Sequence, residues 1–367
     1  MAVTENGAGV REALDAGLTL PATWYGRDQS VYDRELETIF ARAWQYAARA
    51  DQVAEPSSYV ATRVGHIPVV LVRDDEGELR GFVNVCRHRG HLVAQGEGQR
   101  QSLQCPYHAW TYGLDGCLRA APRSEREPGF DFDRYSLLPV SVGTFGPFVF
   151  ANPDPEAPPL EDALGRLPEH LAASGIDFGR LRFHRRDQWS VPVNWKIGIE
   201  NYLECYHCPV AHPGFSKLID VDPDAYVLQA HGLLASQFGP VRRNGGGTLP
   251  YEPVGEIKAS QFHHLWPNLT INVPPGPMSM SVDTWIPAGQ HEIRGTTDRY
   301  FAEDVPERVT QEMMAFSTQV ASEDRALVES VQQGLDSGMV PHGRLLPESE
   351  QLLQHFQRLV YDAVAGP

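Results

Sequence analysis

Positive charge is scarce in this chain. Its 367 residues hold 31 lysines and arginines against 47 acids, a net charge of −16. So large an acidic excess argues against nucleic acid or an anionic membrane surface as a partner. Long apolar runs are missing as well, and no stretch of about 18 residues would make a transmembrane helix. Met1 to Gly17 carries Glu5, Arg11, Glu12 and Asp15 without an apolar core, which predicts no secretory signal. Cysteine is rare. Five residues do not build a disulfide framework, and a reducing cytoplasm fits them. A Gly-rich dinucleotide fingerprint is also lacking, since Gly245-Gly246-Gly247 follows no strand and opens no helix. Internal repeats and low-complexity tracts are absent. What remains, 42% hydrophobic and 21% charged residues, describes a globular chain with room for one large domain or two ordinary ones.

Two of the five cysteines stand in a telling arrangement. Cys86-Arg87-His88 is followed, after the 16 residues 89 to 104, by Cys105-Pro106-Tyr107-His108. Two soft thiolates and two imidazoles suit an iron–sulfur cluster in which cysteines hold one iron and histidines the other, the Rieske arrangement. Tetrahedral zinc is the alternative for such a set. Ligand order separates them: zinc ribbons and fingers bring Cys–Cys and His–His pairs, whereas here each segment supplies one ligand of each kind, which favours the cluster. Gly90 and Gly96 behind the first pair, and Gly113 and Gly116 behind the second, allow tight turns that direct N–H groups at the sulfides. The Asp115-Gly116 dipeptide places the second pair on a β-hairpin tip. Cys117 lies outside the spacing and reads as a small buried side chain. From Arg80 to Arg126, seven arginines (80, 87, 89, 100, 119, 123, 126) stand against three acids, a local +4. This is either a solvated face or a docking patch for an acidic electron donor.

Around that core the chain reads as follows. Residues 1 to 28 predict a leader and a loop. Ser30, with Asp33 three residues on, predicts the cap of a helix through Val31, Leu36, Ile39, Phe40 and Trp44. Runs of β-branched residues predict strands at Tyr59 to Val64, Ile67 to Arg73 and Leu79 to Val85, with a closing strand over Ser141 to Ala151. Asn152-Pro153-Asp154-Pro155 and Pro158-Pro159 mark a linker. Beyond it come a helix over Leu160 to Ala173, a strand over Phe183 to Val193 and a helix from about Trp195 to His207. The long stretch from Tyr226 to Pro287 then has strand character, at Tyr226 to Leu228, Leu269 to Val273 and Met278 to Ile286. Asp304 predicts the cap of a long helix ending at Gly334, and residues 347 to 363 predict one more.

The helix ending at His207 leads into a second constellation, Asn201-Tyr202-Leu203-Glu204-Cys205-Tyr206-His207-Cys208, with His212-Pro213 beyond. Glu204 and His207, three apart, share a helical face. Pro209 and Pro213 end the helix, so that His212 comes in from the turn. Two imidazoles and a carboxylate on one face of Fe(II), with open positions opposite, form the facial triad of O2-activating non-haem iron. A lone helical histidine is usually a satisfied core residue; two of them five apart, downstream of a Rieske signature, point to metal.

On these residues the chain resembles the α (oxygenase) subunit of the Rieske non-haem iron oxygenases. The resemblance runs nearly full length and rests on the two Cys/His segments, Asn194-Trp195-Lys196, the Glu204-x2-His207-x4-His212 unit and Glu323-Asp324. It implies an α+β fold, with an all-β Rieske [2Fe-2S] domain followed by a helix-grip catalytic domain, an antiparallel sheet with helices. The expected boundaries are 1–44 for a helical segment packing on the catalytic domain, 45–152 for the Rieske domain and 153–367 for the catalytic domain. Cys86, His88, Cys105 and His108 are the implied cluster ligands, and His207, His212 and Asp324 the implied ligands of a mononuclear Fe(II). Glu204 stands at the family's bridging position, which joins a cluster histidine of one subunit (here His108) to an iron-binding histidine of the next (here His207). A homotrimer is therefore expected. Most members carry aspartate at the bridge, and glutamate reaches one methylene further. Asn201, one turn earlier, either hydrogen-bonds near the iron or serves the helix. Asp324 competes with its neighbour Glu323; Leu327, Val328 and Val331, which would keep this helix buried, favour Asp324. Cys205 and Cys208 form a Cys-x2-Cys around His207 and read as compact packing residues, with a zinc or redox pair as the alternative.

The Glu-Cys-Tyr-His-Cys string resembles a narrower branch that oxidises quaternary ammonium compounds, the choline, glycine betaine, carnitine and stachydrine oxygenases. That implies hydroxylation or N-demethylation of a quaternary or tertiary amine held in an aromatic cage. Candidates for the cage are Tyr202, Tyr206, Phe238, Phe262, Trp266 and Trp285. An oxygenase hydroxylating or demethylating aromatic rings would use the same side chains as an apolar slot. An electron carrier with a degenerate iron site is the third reading. Either oxygenase would consume O2 and take electrons from a separate NAD(P)H-dependent flavin/iron–sulfur reductase or a ferredoxin.

Overall fold

The four consecutive valine and leucine residues Val69 to Val72 are all fully buried, so this strand is covered on both faces. Val70 and Val72 pack with Cys86, Cys105 and Tyr112, while Val69 and Leu71 pack with Val149 and Ala151. Alternation along one strand thus separates two small cores. The strand belongs to a compact unit, Phe40–Asp162; the other unit combines Met1–Ile39 with Ala163–Pro367. The computed structural model describes residues 7–242 and 249–366, so the Gly245-Gly246-Gly247 run lies outside the described residues.

In the first unit β1 (Gln45–Arg49), β2 (Ser58–Val64), β3 (Ile67–Arg73), β4 (Leu79–Val83) and β5 (Glu97–Gln99) join two later strands in a seven-stranded sheet. The short strands β6 (Leu103–Gln104), β7 (Thr111–Tyr112) and β8 (Leu118–Ala120) form a second, three-stranded sheet. The expected closing strand is a hairpin, β9 (Pro139–Phe145) and β10 (Phe148–Asn152), folded back at Gly146 with φ 54. The large sheet runs β1-β10-β9-β4-β3-β2-β5.

The second unit begins with α1 (Gly7–Asp15), where a leader was expected, and α2 (Gln29–Glu35). Asp28, not Ser30, caps α2, accepting the Ser30 backbone N–H at 2.9 Å. The expected helix over 160–173 is broken at Gly165 into α3 (Leu160–Leu164) and α4 (Leu167–Ala173). After β11 (Leu181–Val191) come α5 (Trp195–Tyr202), α6 (Cys208–Ala211) and α7 (Pro213–Leu218). Six antiparallel strands follow: β12 (Val227–His231), β13 (Leu234–Pro240), β14 (Ala259–Leu265), β15 (Leu269–Val273), β16 (Ser279–Gly289) and β17 (Glu292–Ala302). With β11 at one edge they make a sheet of order β11-β17-β16-β15-β14-β13-β12. Two long helices, α8 (Glu307–Asp336) and α9 (Gln351–Ala365), close the chain. Pro306 rather than Asp304 stands at the cap of α8, where no side-chain cap bond forms. No helix among the described residues is long and apolar enough to cross a membrane.

What fixes α5 matters most, because it leads into the residues expected to hold iron. Gly198 lies against Trp285 and Ile293 so closely that a β-carbon would come within 2.9 Å of each, and this lets the helix approach the sheet. On its other side Lys196 and Glu35, both fully buried, form an ion pair, and Glu35 also accepts Trp195 Nε1 at 2.8 Å. Removing one partner of such a pair leaves a buried charge uncompensated. Lys196→Met is therefore expected to cost about 3–5 kcal/mol of stability, read as a lower urea midpoint; an unchanged midpoint would mean that Glu35 finds another partner.

Candidate metal centres

The two Cys/His turns are built alike. Cys86 donates its N–H to His91 O at 2.8 Å and accepts from Gly90 N at 3.0 Å; Cys105 donates to Trp110 O at 2.8 Å and accepts from Ala109 N at 3.0 Å. Both closures put a left-handed residue four places after the cysteine, Gly90 with φ 74 and Ala109 with φ 57. Ala109 pays for this conformation with its β-carbon, the kind of strain that functional turns retain. The second turn is the tip of the β6–β7 hairpin. The Asp115-Gly116 turn belongs instead to the following β7–β8 hairpin, one strand away from the ligands.

Both thiols are 2% exposed, while the imidazoles of His88 and His108 face solvent with their rings 4.6 Å apart. His88 stacks on Trp110 at 5.0 Å. Burial pushes the Cys105 thiol up, and backbone N–H groups of Tyr107 and His108 aimed at its sulfur pull the other way. Tyr112 Oη lies 3.3 Å from Cys86 Sγ and accepts Arg87 N–H at 3.1 Å. No three of these four offer ligand atoms that all lie within 4.8 Å of one another, so they do not converge on a single ion. Ligands divided between two irons fit that spread; one tetrahedral zinc does not. A cavity of about 490 Å3 opens beside the imidazoles, bordered by Arg87, Arg123, Trp110, Phe130 and Tyr135. Of the arginines in this region, Arg80 and Arg119 pair with Asp74 and Asp115, while Arg89 lies over the exposed ring of Tyr107. Cys117 is partly buried.

The convergent set is His207, His212 and Asp324. Here the structure departs from a continuous helix. α5 stops at Tyr202, whose carbonyl is taken at 2.6 Å by Gln237 Nε2 from β13 instead of by the helix. Glu204 and His207 therefore sit on an irregular segment rather than a helical face. They meet because the Glu204 carboxylate folds back, Oε2 accepting His207 N–H at 3.1 Å and Oε1 contacting Nδ1 of the same ring. His212 follows between α6 and α7. Its Nε2 is 3.1 Å from His207 Nε2 and 2.9 Å from Asp324 Oδ1, which is 3.5 Å from His207 Nε2. Asn201 Nδ2 donates to the same Asp324 oxygen at 2.7 Å. Glu323, the neighbour on α8, lies at the opposite end of the His212 ring, Oε2 to Nδ1 at 2.7 Å.

The carboxylates of this triangle favour positive charge at the two imidazoles. Burial opposes a charged His207 ring, but its bonds to Asp324 and Glu204 win and raise it to about 9. His212 is raised on the same grounds, by Asp324 and Glu323 against burial. Burial opposes the Asp324 charge too, yet the two imidazoles hold it well below the usual carboxylate range. Two Nε2 atoms and one carboxylate oxygen are the donor set of a facial iron site. Of the apolar residues expected to bury α8 here, Val328 is buried, but Leu327 and Val331 are 36% and 48% exposed. Geometry, not burial, distinguishes Asp324 from Glu323.

Cys205 and Cys208 are joined in a disulfide instead of packing as separate thiols. The turn between them, closed by Cys208 N to Cys205 O at 3.2 Å, brings their Cα atoms to 4.9 Å, within disulfide reach.

The aromatic candidates scatter. Phe262 lies 5.7 Å from Phe215, which in turn is 6.5 Å from the His212 ring. Tyr202 directs its hydroxyl to Asn272 Oδ1 at 2.9 Å. Tyr206 is 62% exposed. Phe238 packs on His170 and His263, Trp266 on Trp195 and Phe356, and Trp285 on Trp189. Phe215 and Tyr226 were not singled out in the sequence. Burial, then the charge of Glu204, raises the Tyr226 phenol, which places that ring near the site. Phe215 sits three residues past His212, a proximity legible in the sequence; Tyr226 carries no such signal.

Residues 43–140 match the Rieske [2Fe-2S] domain family, and residues 178–366 match the ring hydroxylating alpha subunit (catalytic domain) family. The chain is 34% identical over 357 residues to the carnitine monooxygenase oxygenase subunit of Acinetobacter pittii, covering 94% of this chain and 95% of that one. It is 31% identical to the chloroplastic choline monooxygenase of Spinacia oleracea, covering 92% and 76%. Among solved structures, the quaternary ammonium Rieske monooxygenase CntA in complex with an inhibitor aligns with a TM-score of 0.84 at 32% identity, over 96% and 98% of the two chains. A naphthalene 1,2-dioxygenase from Rhodococcus sp. aligns with a TM-score of 0.80 at 20% identity over 100% and 99%, which shows a shared fold.

Proposed function

The chain belongs to the Rieske non-haem iron oxygenases, as their α (oxygenase) subunit, and from that membership we propose that it hydroxylates or N-demethylates a quaternary ammonium compound. The observation that carries the choice of a cationic substrate is electrostatic. Glu204, Glu323 and Asp324 crowd the two histidines, and their hydrogen-bond and ion-pair partners among the described residues include imidazoles and amides but no lysine or arginine. Phe215, Phe262 and Tyr226 add aromatic surface in the same region. A trimethylammonium group is attracted by ring faces and favoured by the one negative charge by which three carboxylates exceed a divalent metal. The names of the carnitine and choline monooxygenase relatives support the same class.

A Rieske cluster supplies electrons one at a time, and a mononuclear Fe(II) supplies the place where O2 is activated. Cys86, His88, Cys105 and His108 would hold the first; His207, His212 and Asp324 the second. Glu204 orients His207 through Nδ1 and would, in a homotrimer, join it to His108 of the partner subunit. Asn201 steadies the Asp324 oxygen that would meet the metal. A separate NAD(P)H-dependent reductase or ferredoxin would deliver electrons, with the arginine-rich surface around Arg89 and Tyr107 suited to an acidic donor. A cytoplasmic location is in keeping with this chemistry.

Calorimetry with carnitine, choline and glycine betaine tests the substrate class against 3,3-dimethylbutanol, the neutral carbon isostere of choline. The isostere is expected to bind about tenfold more weakly, matching the ~1–2 kcal/mol of a desolvated cation–π contact. Equal affinity, or binding confined to flat arenes, would move the protein to the ring-oxidising side of its family.

A further inference from the structure

We propose that Glu323 is a positioning residue for the catalytic metal: it fixes His212 in the tautomer that turns a free Nε2 lone pair toward His207 and Asp324. The inference rests on the reading of His207, His212 and Asp324 as the metal site and adds a residue that this reading does not use. A neutral imidazole carries one N–H, and the acceptor at one nitrogen decides where that proton stays. At His212 the acceptor is Glu323 Oε2, 2.7 Å from Nδ1. The His212 side chain is 2% exposed, so water offers little competition. The other carboxylate oxygen is held as well, since Gln319 Nε2 donates to Glu323 Oε1 at 2.9 Å from one turn earlier on α8. Both oxygens are thus committed before any metal arrives.

The arrangement has a counterpart in the same site. Glu204 stands on Nδ1 of His207 as Glu323 stands on Nδ1 of His212. α8 contributes two adjacent acids to opposite ends of one ring, Asp324 to Nε2 and Glu323 to Nδ1. That geometry removes Glu323 as a metal ligand and gives it a different task. Partners of this kind set ring orientation and raise ligand basicity, and their loss costs about 10–100-fold in metal affinity.

The test uses the full-length chain with its cluster intact, stripped of catalytic iron by a chelator and titrated anaerobically with Co(II), whose ligand-field absorption reports the site. Glu323→Ala is expected to weaken Co(II) binding about 10–100-fold. Glu323→Gln, which still offers an oxygen to Nδ1–H, is expected to restore most of the affinity and the wild-type spectrum. Gln319→Ala, which frees the far carboxylate oxygen without touching the ring, should weaken binding by a smaller factor and serves if Glu323→Ala does not fold. Wild-type affinity in Glu323→Ala, or equal losses in the alanine and glutamine variants, would overturn the proposal. His212→Ala separates the two levels: if it abolishes Co(II) binding while Glu323→Ala leaves it unchanged, this inference fails and the metal site stands. If His212→Ala also binds normally, the metal-site reading falls with it.

Discussion

His207→Ala is expected to abolish turnover and empty the catalytic metal site while leaving the visible spectrum of the cluster unchanged. The expectation follows from where the two ligand sets lie. Cys86 to His108 belong to the unit Phe40–Asp162, whereas His207 belongs to the other. Removing the imidazole deletes one of three converging donors and strands Glu204, whose Oε1 then has no ring to orient. Loss of a partner outside the ligand set already costs up to about a hundredfold, so loss of a ligand should exceed that. The measurements are iron content, the visible spectrum and substrate-dependent O2 uptake on the same sample. Bleaching of the cluster together with the loss of iron would mean that the two centres are not separate, and the assignment of both ligand sets would need to be redrawn.

Glu204→Gln carries the second large effect. The substituted amide can still present an oxygen to His207 Nδ1–H, so the ring and its metal should stay in place. What disappears is the negative charge and the second acceptor, now used by His207 N–H at 3.1 Å. If Glu204 is the contact through which a neighbouring copy reduces this site, both metals should remain at wild-type content while coupled turnover falls about a hundredfold, the upper range for such second partners. Stopped-flow absorbance of the reduced cluster, mixed with substrate and O2, reads the step directly and should decay correspondingly slowly. Undiminished coupled turnover would strip Glu204 of the bridging role and leave it as an orienting group alone.

The two centres differ in how openly they were written. Each cluster turn is closed by hydrogen bonds within six residues, as from Cys105 to Trp110, so ligand order and turn chemistry stand together in a short string. Asp324 is 112 positions from His212 and lies among other acids on a long helix, where no local pattern marks it. The helical face expected for Glu204 and His207 fails because Gln237, on a strand within the stretch of expected strand character, intercepts the Tyr202 carbonyl. Within that stretch β13 and β14 have no bounds legible in the sequence, and β17 lies beyond it, for a common reason. β14 and β17 carry buried polar side chains that do not look like core: His263 and Asp298 are satisfied by partners on neighbouring strands, and His264 by the Pro267 carbonyl in the following turn. The aromatic candidates were illegible for another: residue type says nothing about which face of a sheet a ring occupies, and the structure puts Phe238 and Phe262 in different company.

The chain enters and leaves the cluster-bearing unit side by side. Gln45 pairs with Ala151, Asn152 Nδ2 donates to Arg42 O at 2.9 Å, and Trp44 Nε1 donates to Pro158 O at 2.8 Å. A segment whose two ends meet is a cassette, since it can be lifted out or replaced by a relative's counterpart without rerouting the polypeptide on either side. Residues 40–162 thus lend themselves to expression as a small stand-alone electron carrier and to grafting between oxygenases. Redox tuning and substrate choice in this protein then become separately editable properties.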